Sequence, residues 1–483
     1  MLLISIFLFP LIGALILTQI KVSHKSIHLV KFISLFFTIL PFLFNIIVCT
    51  KFDYSKADFQ LVSYPIKNIG IGIDGISLLF LLLTTFLFLI CVLYNNTVSY
   101  IAFKAYMILF LLLENFIIGF FISLNAISFY IFFEATLVPT FFIIGIWGGK
   151  QRVYAAFKLF LYTLTGSLFF LLGLIYMYNM FGTFDIRKLI ILIPNLDFFA
   201  QLLLWVAFFI SFAIKIPMFP FHTWLPDAHV QSPTTGSVIL AGLLIKMGGY
   251  GFLRFSIPML PKVNFYFSNF VVILSAIAVI YTSLVAFAQN DIKKSIAYSS
   301  ISHMGIVTAG LFSFCEEGMI GATFQMISHG LISAALFFCT GILYARTRTL
   351  EIIECFGIVN IMPKFSFMFV LFSLASIGLP GTSGFISEFL AMVGVFKRGF
   401  FTTGFIASGF ILNAVYMLNL CKQIIWGCNY SKLVVDSCLS NIEFYVLILF
   451  MILIVLLGFY PTLAINYLRP CIMDLLSNNY KVI

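Results

Sequence analysis

From its second residue almost to its end, the chain passes through one apolar segment after another, about fourteen in all. Each approaches the ~20 residues that an α-helix needs to cross a bilayer. They centre near residues 10, 38, 85, 113, 135, 167, 212, 245, 277, 302, 331, 378, 412 and 455. Within lipid every backbone amide and carbonyl must be satisfied inside the protein, which restricts a spanning chain to helices or a closed barrel. A barrel would show short alternating strands, and none are evident. Of the 483 residues, 62% are hydrophobic and only 9% charged, against about one quarter charged in soluble domains. The expected fold is therefore an all-α polytopic membrane protein without a soluble domain. The first segment, "MLLISIFLFPLIGALILTQI", lacks the basic start and the small-residue cleavage site of a signal peptide and reads as a retained helix.

The net charge of +10 does not point to nucleic acid, because the basic residues fall mainly in the short loops that set orientation. Lys and Arg are slightly more numerous on the face holding residues 21–31, which places both termini outside. Nine cysteines are scattered without a C-x-x-C pair, and the spacing of Cys421 and Cys428 fits neither a zinc nor an iron–sulfur site. No glycine-rich phosphate loop or G-x-S-x-G elbow occurs. The chain is therefore expected to hold no metal and no redox centre of its own. Its 61 phenylalanines, with abundant Ile, Lys and Asn, suggest an AT-rich genome, as in an organelle or an intracellular bacterium.

Ionisable groups inside apolar spans are costly and by default mark an ion path or a buried pair. They are Glu114, Glu134, Lys215, Lys246, His303, His329 and Glu388. Each has a plainer reading. Glu114 in "LFLLLENFIIGF" could simply bond to a neighbouring helix, and a lone histidine among apolar residues is often a satisfied core group. Glu134 in "FYIFFEATLVPTFF" has no local partner, and Lys246 in "VILAGLLIKMGGYGF" lies too deep in its span to reach water easily.

Two spans break themselves. In "SFAIKIPMFPFHTWLPDAHVQSPTTGS" Pro217 and Pro220 follow directly on Lys215, removing backbone donors and disrupting the preceding turn. In "FSLASIGLPGTSGFISEFLAMVGVF" Gly378, Pro380, Gly381 and Gly384 interrupt a second span, with Glu388 two turns beyond. A broken helix survives in a membrane only inside protein or beside a wet cavity, and transporters use the freed backbone groups for ion sites. An odd number of spans separates the two breaks, so the broken helices run in opposite directions, as expected of inverted repeats. The expected organisation is N-terminal helices over 1–103, a first repeat over 104–257 broken at Pro217, a second over 266–425 broken at Pro380, and a last span with a tail over 426–483.

The stretch "KIPMFPFHTWLPDAHVQSPTTGSVILAGLLIKMGGYGFLRF" resembles the signature of the antiporter-like subunits of respiratory complex I and related cation antiporters. "FFEATLVPTFFIIGIWGG", "QNDIKKSIAYSSISHMG", "SHGLISAALFF" and "GLPGTSGFISEF" resemble the same family in the same order, and "GIDGISLLF" extends the likeness over almost the whole chain. The resemblance implies fourteen spans around two inverted five-helix repeats, and proton translocation driven by quinone reduction elsewhere in a complex. It implies that NADH, FMN, iron–sulfur clusters and ubiquinone bind to other subunits, that neighbouring antiporter-like subunits and lipids are the partners, and that the host is the mitochondrial inner membrane or its bacterial counterpart. By the same resemblance Glu134 and Lys215 form a carboxylate–lysine pair, Lys246 is the central lysine, His303 and His329 connect, and Glu388 is the exit. Several relatives carry lysine at the place of Glu388, and the glutamate singles out one branch of the family.

Joined by water, these residues would make a switchable proton wire through the middle of the membrane. Two rivals stand beside this reading: a component of a multi-subunit Na⁺/H⁺ antiporter or membrane-bound hydrogenase, and a scaffold that no longer pumps. The full set of intramembrane charges argues against the scaffold.

Overall fold

The structure is a computed structural model that describes residues 1–21, 26–66, 69–95, 102–354, 357–427 and 439–482; Cys428 lies outside them. In chain order the elements are α1 (Leu2–Gln19), α2 (Ser26–Lys51), the hairpin strands β1 (Gln60–Ile66) and β2 (Ile69–Ile73), α3 (Gly75–Tyr94), α4 (Ala102–Ile122), α5 (Ala126–Ala135), α6 (Leu137–Trp147), α7 (Arg152–Phe181), α8 (Ile186–Leu192) and α9 (Phe198–Lys215). They continue with α10 (Trp224–Gln231), α11 (Thr234–Ile239), α12 (Ile245–Gly251), α13 (Ile257–Met259), α14 (Pro261–Phe287), α15 (Ile292–Leu311), α16 (Glu316–Thr347), α17 (Pro363–Ile377), α18 (Ser383–Arg398), α19 (Phe400–Trp426), α20 (Asn441–Phe459) and α21 (Thr462–Val482). Two π-helical turns, Leu240–Leu244 and Phe252–Ser256, join α11, α12 and α13 into one rod that carries Lys246.

Among the described residues, twelve helical stretches are long and apolar enough to cross a membrane, and α17 is a shorter apolar helix of 15 residues. Two of the about fourteen segments read from the sequence therefore differ from simple spans. One is α15, which has 20 residues but is rich in serine. It is buried almost all round, so its hydroxyls meet protein rather than lipid; Ser302 pairs with Ser283 at 3.0 Å and Thr308 with Ser275 at 2.7 Å, both on α14. The other is the broken pair α17–α18.

Among the described residues the strands are β1 and β2, which pair antiparallel as a hairpin. The tail expected after the last span is itself a helix, α21. It buries Ala464, Leu468, Cys471, Ile472 and Leu476, and Arg469 reaches Glu316 at the start of α16 at 2.7 Å.

Both breaks have a local cause. At the end of α9 the Met218 amide bonds to the Ala213 carbonyl at 2.8 Å, and the indole of Trp224 donates to the Ile214 carbonyl at 3.0 Å. The carbonyl released by the break is thus captured by the first residue of α10. At the end of α17, Gly378 and Gly381 hold φ of +87° and +92°, a left-handed backbone that glycine adopts without a side-chain clash. The Leu379 amide closes back on the Leu374 carbonyl at 3.0 Å, and Asn413 of α19 donates to the Ser376 carbonyl at 2.9 Å.

The deepest helix, α16, touches α18 through glycine and alanine. A Cβ added at Gly394 would collide with the Gly318 backbone on the facing helix, one at Gly318 would strike Ser313 and crowd the Gly394 Cα, and one at Gly321 would strike the Ala391 backbone amide. Small residues let backbones meet in this way inside a membrane. Gly321→Leu should therefore force α16 and α18 apart, costing at least the ~1–3 kcal/mol typical of overpacking. The expected outcome is loss of the assembled protein on native gels, whereas Gly404→Leu, where a Cβ meets nothing within 4 Å, should assemble normally.

Candidate functional site

Of the seven ionisable residues read inside the apolar spans, four form a contiguous row and three, Lys215, Glu134 and Glu114, lie outside it. On α12 the Lys246 ammonium is fully buried. It bonds to the Ala241 carbonyl one turn back and lies 2.8 Å from Nδ1 of His329 on α16. When Lys246 is charged it has only donors; in that state it donates to the ring nitrogen and the His329 proton is on Nε2. The ring of His329 lies 5.3 Å, centre to centre, from that of His303 on α15. Nδ1 of His303 is 2.8 Å from Oε1 of Glu388 on α18.

The same carboxylate oxygen accepts from the Gln325 amide at 2.9 Å, and the Ser387 hydroxyl donates to Oε1 of Gln325, fixing which way that amide faces. The second oxygen of Glu388 has no protein partner. It sits 3.2 Å from where a Cβ on Gly378 would lie, so the glycine that turns the break also makes room for the carboxylate. A cavity of about 10 Å³ lies among His303, Gln325, His329, Ser333, Ser376 and Glu388, close to the space one water requires.

Lys215 stands apart from this group. It is buried at the end of α9, with its ammonium 4.6 Å from the centre of the Phe133 ring, a cation–π contact. Glu134, the residue after Phe133, acts on it through space, yet among the described residues no ion pair joins the two. Ile216 packs directly on the bare backbone of Gly248 and Gly249. The broken end of α9 and the helix of Lys246 therefore touch, while the two ammonium groups share no hydrogen bond. Glu114 on α4 is fully buried, and neither of its oxygens has a protein partner. It joins none of the contacts above.

A search for charges in apolar segments passes over several residues that the structure makes prominent. Gln325 is uncharged, so such a search cannot find it. Arg254, in the second π turn, is paired with Asp74, which caps α3, and its Nε donates to the Tyr250 hydroxyl at 2.9 Å. In sequence both stand at the edges of apolar segments, where a charge is ordinarily solvated. His229 and Lys293 are likewise buried. Among the described residues no group of three or more His, Cys, Asp or Glu is placed to hold a metal ion.

Residues 123–414 match the family described as NADH:quinone oxidoreductase/Mrp antiporter, transmembrane. The chain belongs to this family. NADH-quinone oxidoreductase subunit M of Rickettsia conorii is 47% identical over 98% of both chains. NADH-ubiquinone oxidoreductase chain 4 of Marchantia polymorpha is 43% identical over 98% of this chain and 97% of its own. Among solved structures, a chain of respiratory complex I from Thermus thermophilus with bound NADH superposes with a TM-score of 0.88 at 28% identity, covering 99% of this chain and 100% of that one. A chain of the Mrp complex from Dietzia sp. shares the fold, with a TM-score of 0.86 at 17% identity over 99% of this chain and 98% of its own. As a member of the NADH:quinone oxidoreductase/Mrp family the chain is a multi-pass membrane protein.

The Asp74–Arg254 contact yields a stability test. Removing one partner of a buried ion pair strands the other charge, at a cost of about 3–5 kcal/mol, whereas an apolar replacement of both is often close to neutral. Arg254→Met alone should sharply lower the thermal stability of the assembled protein. The double change Asp74→Leu with Arg254→Met should recover most of it, as followed by thermal melting monitored on native gels.

Proposed function

We propose that the chain is a proton-translocating membrane subunit of NADH:quinone oxidoreductase, in the mitochondrial or bacterial inner membrane. Protons pass along Lys246, His329, His303 and Glu388, loaded from Lys215 and Glu134. The observation that carries this reading is the unbroken contact from Lys246 to Glu388 across four helices, with room for a water among the histidines. NADH, FMN, iron–sulfur clusters and ubiquinone belong to other subunits in this reading, and the energy comes from quinone reduction there. The neighbours are other membrane subunits of the complex, including further antiporter-like chains, together with lipids.

The chemistry needs only groups that exchange protons. Lys246 gives its proton to Nδ1 of His329, which releases one from its other nitrogen. His303 then takes up a proton on one nitrogen and yields one to Glu388 from Nδ1. Oε1, the oxygen that Nδ1 touches, receives that proton, and Oε2, without a protein partner, leaves the carboxyl group open to hand a proton onward to water. Each charge is costly in a dry interior unless countered, so a proton arriving at one end favours departure at the other. His329 and His303 meet ring to ring without a direct hydrogen bond, beside the cavity that has room for a water. The step from Lys215 to Lys246 lacks a direct bond too, and it is the natural point of control: a carboxylate favours the charged form of a neighbouring lysine, and withdrawing Glu134 would release the Lys215 proton. The two broken helices supply the setting, as halves of inverted repeats over 104–257 and 266–425, with Pro217, Pro220 and Pro380 at the breaks.

The family also includes Mrp antiporters, so a Na⁺/H⁺ antiporter component or a subunit of a membrane-bound hydrogenase is the second reading. Co-purification in mild detergent separates them, since the favoured reading expects NADH dehydrogenase subunits to migrate with the chain.

Glu388→Gln keeps the shape and hydrogen bonding of the side chain but cannot lose a proton. The assembled variant should pump at least about tenfold more slowly, the scale of a lost proton-transfer group, while Glu388→Lys should retain part of the activity. The measurement is proton uptake into vesicles beside the electron-transfer rate; normal pumping by the Gln variant removes Glu388 from the path. Lys215→Arg should also be harmful, because arginine keeps the charge and does not give up its proton. Wild-type pumping by that variant would reduce Lys215 to an electrostatic fixture.

A further inference from the structure

The row from Lys246 to Glu388 needs a way in. On the face that carries Lys150 and Glu351 a cavity of about 660 Å³ opens between the ends of several helices. Exposed Lys150, Arg348 and Glu351 line its mouth. Deeper in, Asp291 caps α15, and Lys293, only 5% exposed, donates to the Ser232 carbonyl at 2.8 Å. Val230 and Gln231, the last residues of α10, form part of the wall.

Directly behind that wall is His229. It is fully buried, and neither ring nitrogen has a protein partner. Buried polar groups are nearly always bonded, and an exception calls for water or for a functional reason. The imidazole stacks on the Phe337 ring of α16, centres 4.6 Å apart and planes within 4°, so its face is held while both nitrogens stay available. The charges that act on it are those of Lys293, on the cavity side, and Lys246, at the head of the row. The Ser237 hydroxyl anchors its backbone carbonyl at 3.1 Å.

We propose that this cavity is the proton inlet and that His229 relays protons from its floor at Lys293 to Lys246. The proposal rests on the reading of the row given above, with one change of role: His229 supplies the proton that refills Lys246, and the charge on Lys215, set by Glu134, controls when Lys246 releases it. In each transfer one ring nitrogen takes a proton from water at the cavity floor. The other nitrogen gives its own to the Lys246 amine once that amine has passed a proton to His329. The ring returns neutral with its proton on the opposite nitrogen, and a half-turn about Cβ–Cγ resets it. The half-turn ends with the ring again parallel to Phe337 but passes edge-on to it, so the Phe337 side chain gives way as the ring turns. Lys293 tied to the Ser232 carbonyl keeps a positive group at the floor and holds the start of α11 beside it.

The test uses the assembled complex in vesicles, with proton uptake per NADH oxidised as the readout and uncoupled electron transfer as control. His229→Phe keeps the ring, the volume and the stack but carries no proton; the relay expects pumping to fall at least about tenfold, whereas a purely packing role expects it to stay normal. His229→Ala should lose pumping too, and added imidazole should restore part of it in the Ala variant, where a ring-sized hole remains, but not in the Phe variant. If His229→Ala fails to assemble, His229→Gln takes its place, and pumping should fall without rescue. Wild-type pumping by the assembled Phe or Gln variant overturns the proposal, as does an Ala defect that imidazole leaves untouched. If Glu388→Gln lowers pumping and His229→Phe does not, the row stands and the inlet lies elsewhere. If neither does, the row itself is wrong.

Discussion

A charge in the middle of a lipid bilayer is tolerated only where protein or water replaces its hydration. The contact of His303 with Glu388 meets that requirement by concentration: the imidazole and the Gln325 amide converge on one carboxylate oxygen, at 2.8 and 2.9 Å. The asymmetry matters as much as the contact. One oxygen is doubly served and the other has no protein partner, so the group is held in place and still has somewhere to put a proton. Four helices, α12, α15, α16 and α18, must approach closely for the row to exist, and the bare backbones of Gly310, Gly318, Gly321, Gly384 and Gly394 at the interfaces of α15, α16, α17 and α18 allow it.

The helix of Lys246 is shaped by the same demand. Its two π turns flank α12, and such turns recur where a helix must present a side chain out of ordinary register. Arg254 in the second turn is fastened to Asp74, at the start of α3, and to Tyr250 on its own helix. Its guanidinium also lies over the rings of Tyr250 and Phe59, with centroids at 5.0 and 4.8 Å. One end of the rod is thereby pinned to the neighbouring helix and hairpin, while Lys246 bonds to its own Ala241 carbonyl and to His329. The pinned end fixes the height of the lysine, and the unbonded approach from Lys215 leaves its loading adjustable.

The helical, membrane-spanning character of the chain was legible in its apolar segments, because backbone satisfaction in lipid leaves few alternatives. Proline and glycine likewise marked where α9 and α17 stop. What stayed hidden follows from burial against protein instead of lipid. The sequence of α15 is too polar for a simple span, since the helix is buried against protein, with Ser302 and Thr308 meeting hydroxyls on α14 and its other serines bonding to carbonyls. Gln325 acts by holding His303 and Glu388 together, and nothing in a count of charges distinguishes it from a core amide. Arg254 and His229 stand where apolar runs give way to polar residues, and only the fold shows that the chain there turns inward. The pairing of Glu134 with Lys215 is implied by resemblance, while the geometry places them in each other's field without an ion pair.

That gap bears on how a row of groups can be driven and not merely conduct. A wire bonded along its whole length would let protons run down any gradient in either direction. Here the row of touching groups ends at Lys246, and Lys215 rests on the face of Phe133, 4.6 Å from its centre, in a contact worth about 0.5–2 kcal/mol. That is weak enough to be broken by moving one charge nearby. Glu134 follows Phe133 on the same short helix, so a shift of α5 would move the carboxylate and the aromatic ring together relative to the lysine. The broken end of α9, whose released carbonyl is already held by Trp224, can follow such a shift without leaving that carbonyl bare. The discontinuity in the helix thus supplies what a continuous one would not: a buried ammonium able to change neighbours without stranding a backbone group in lipid.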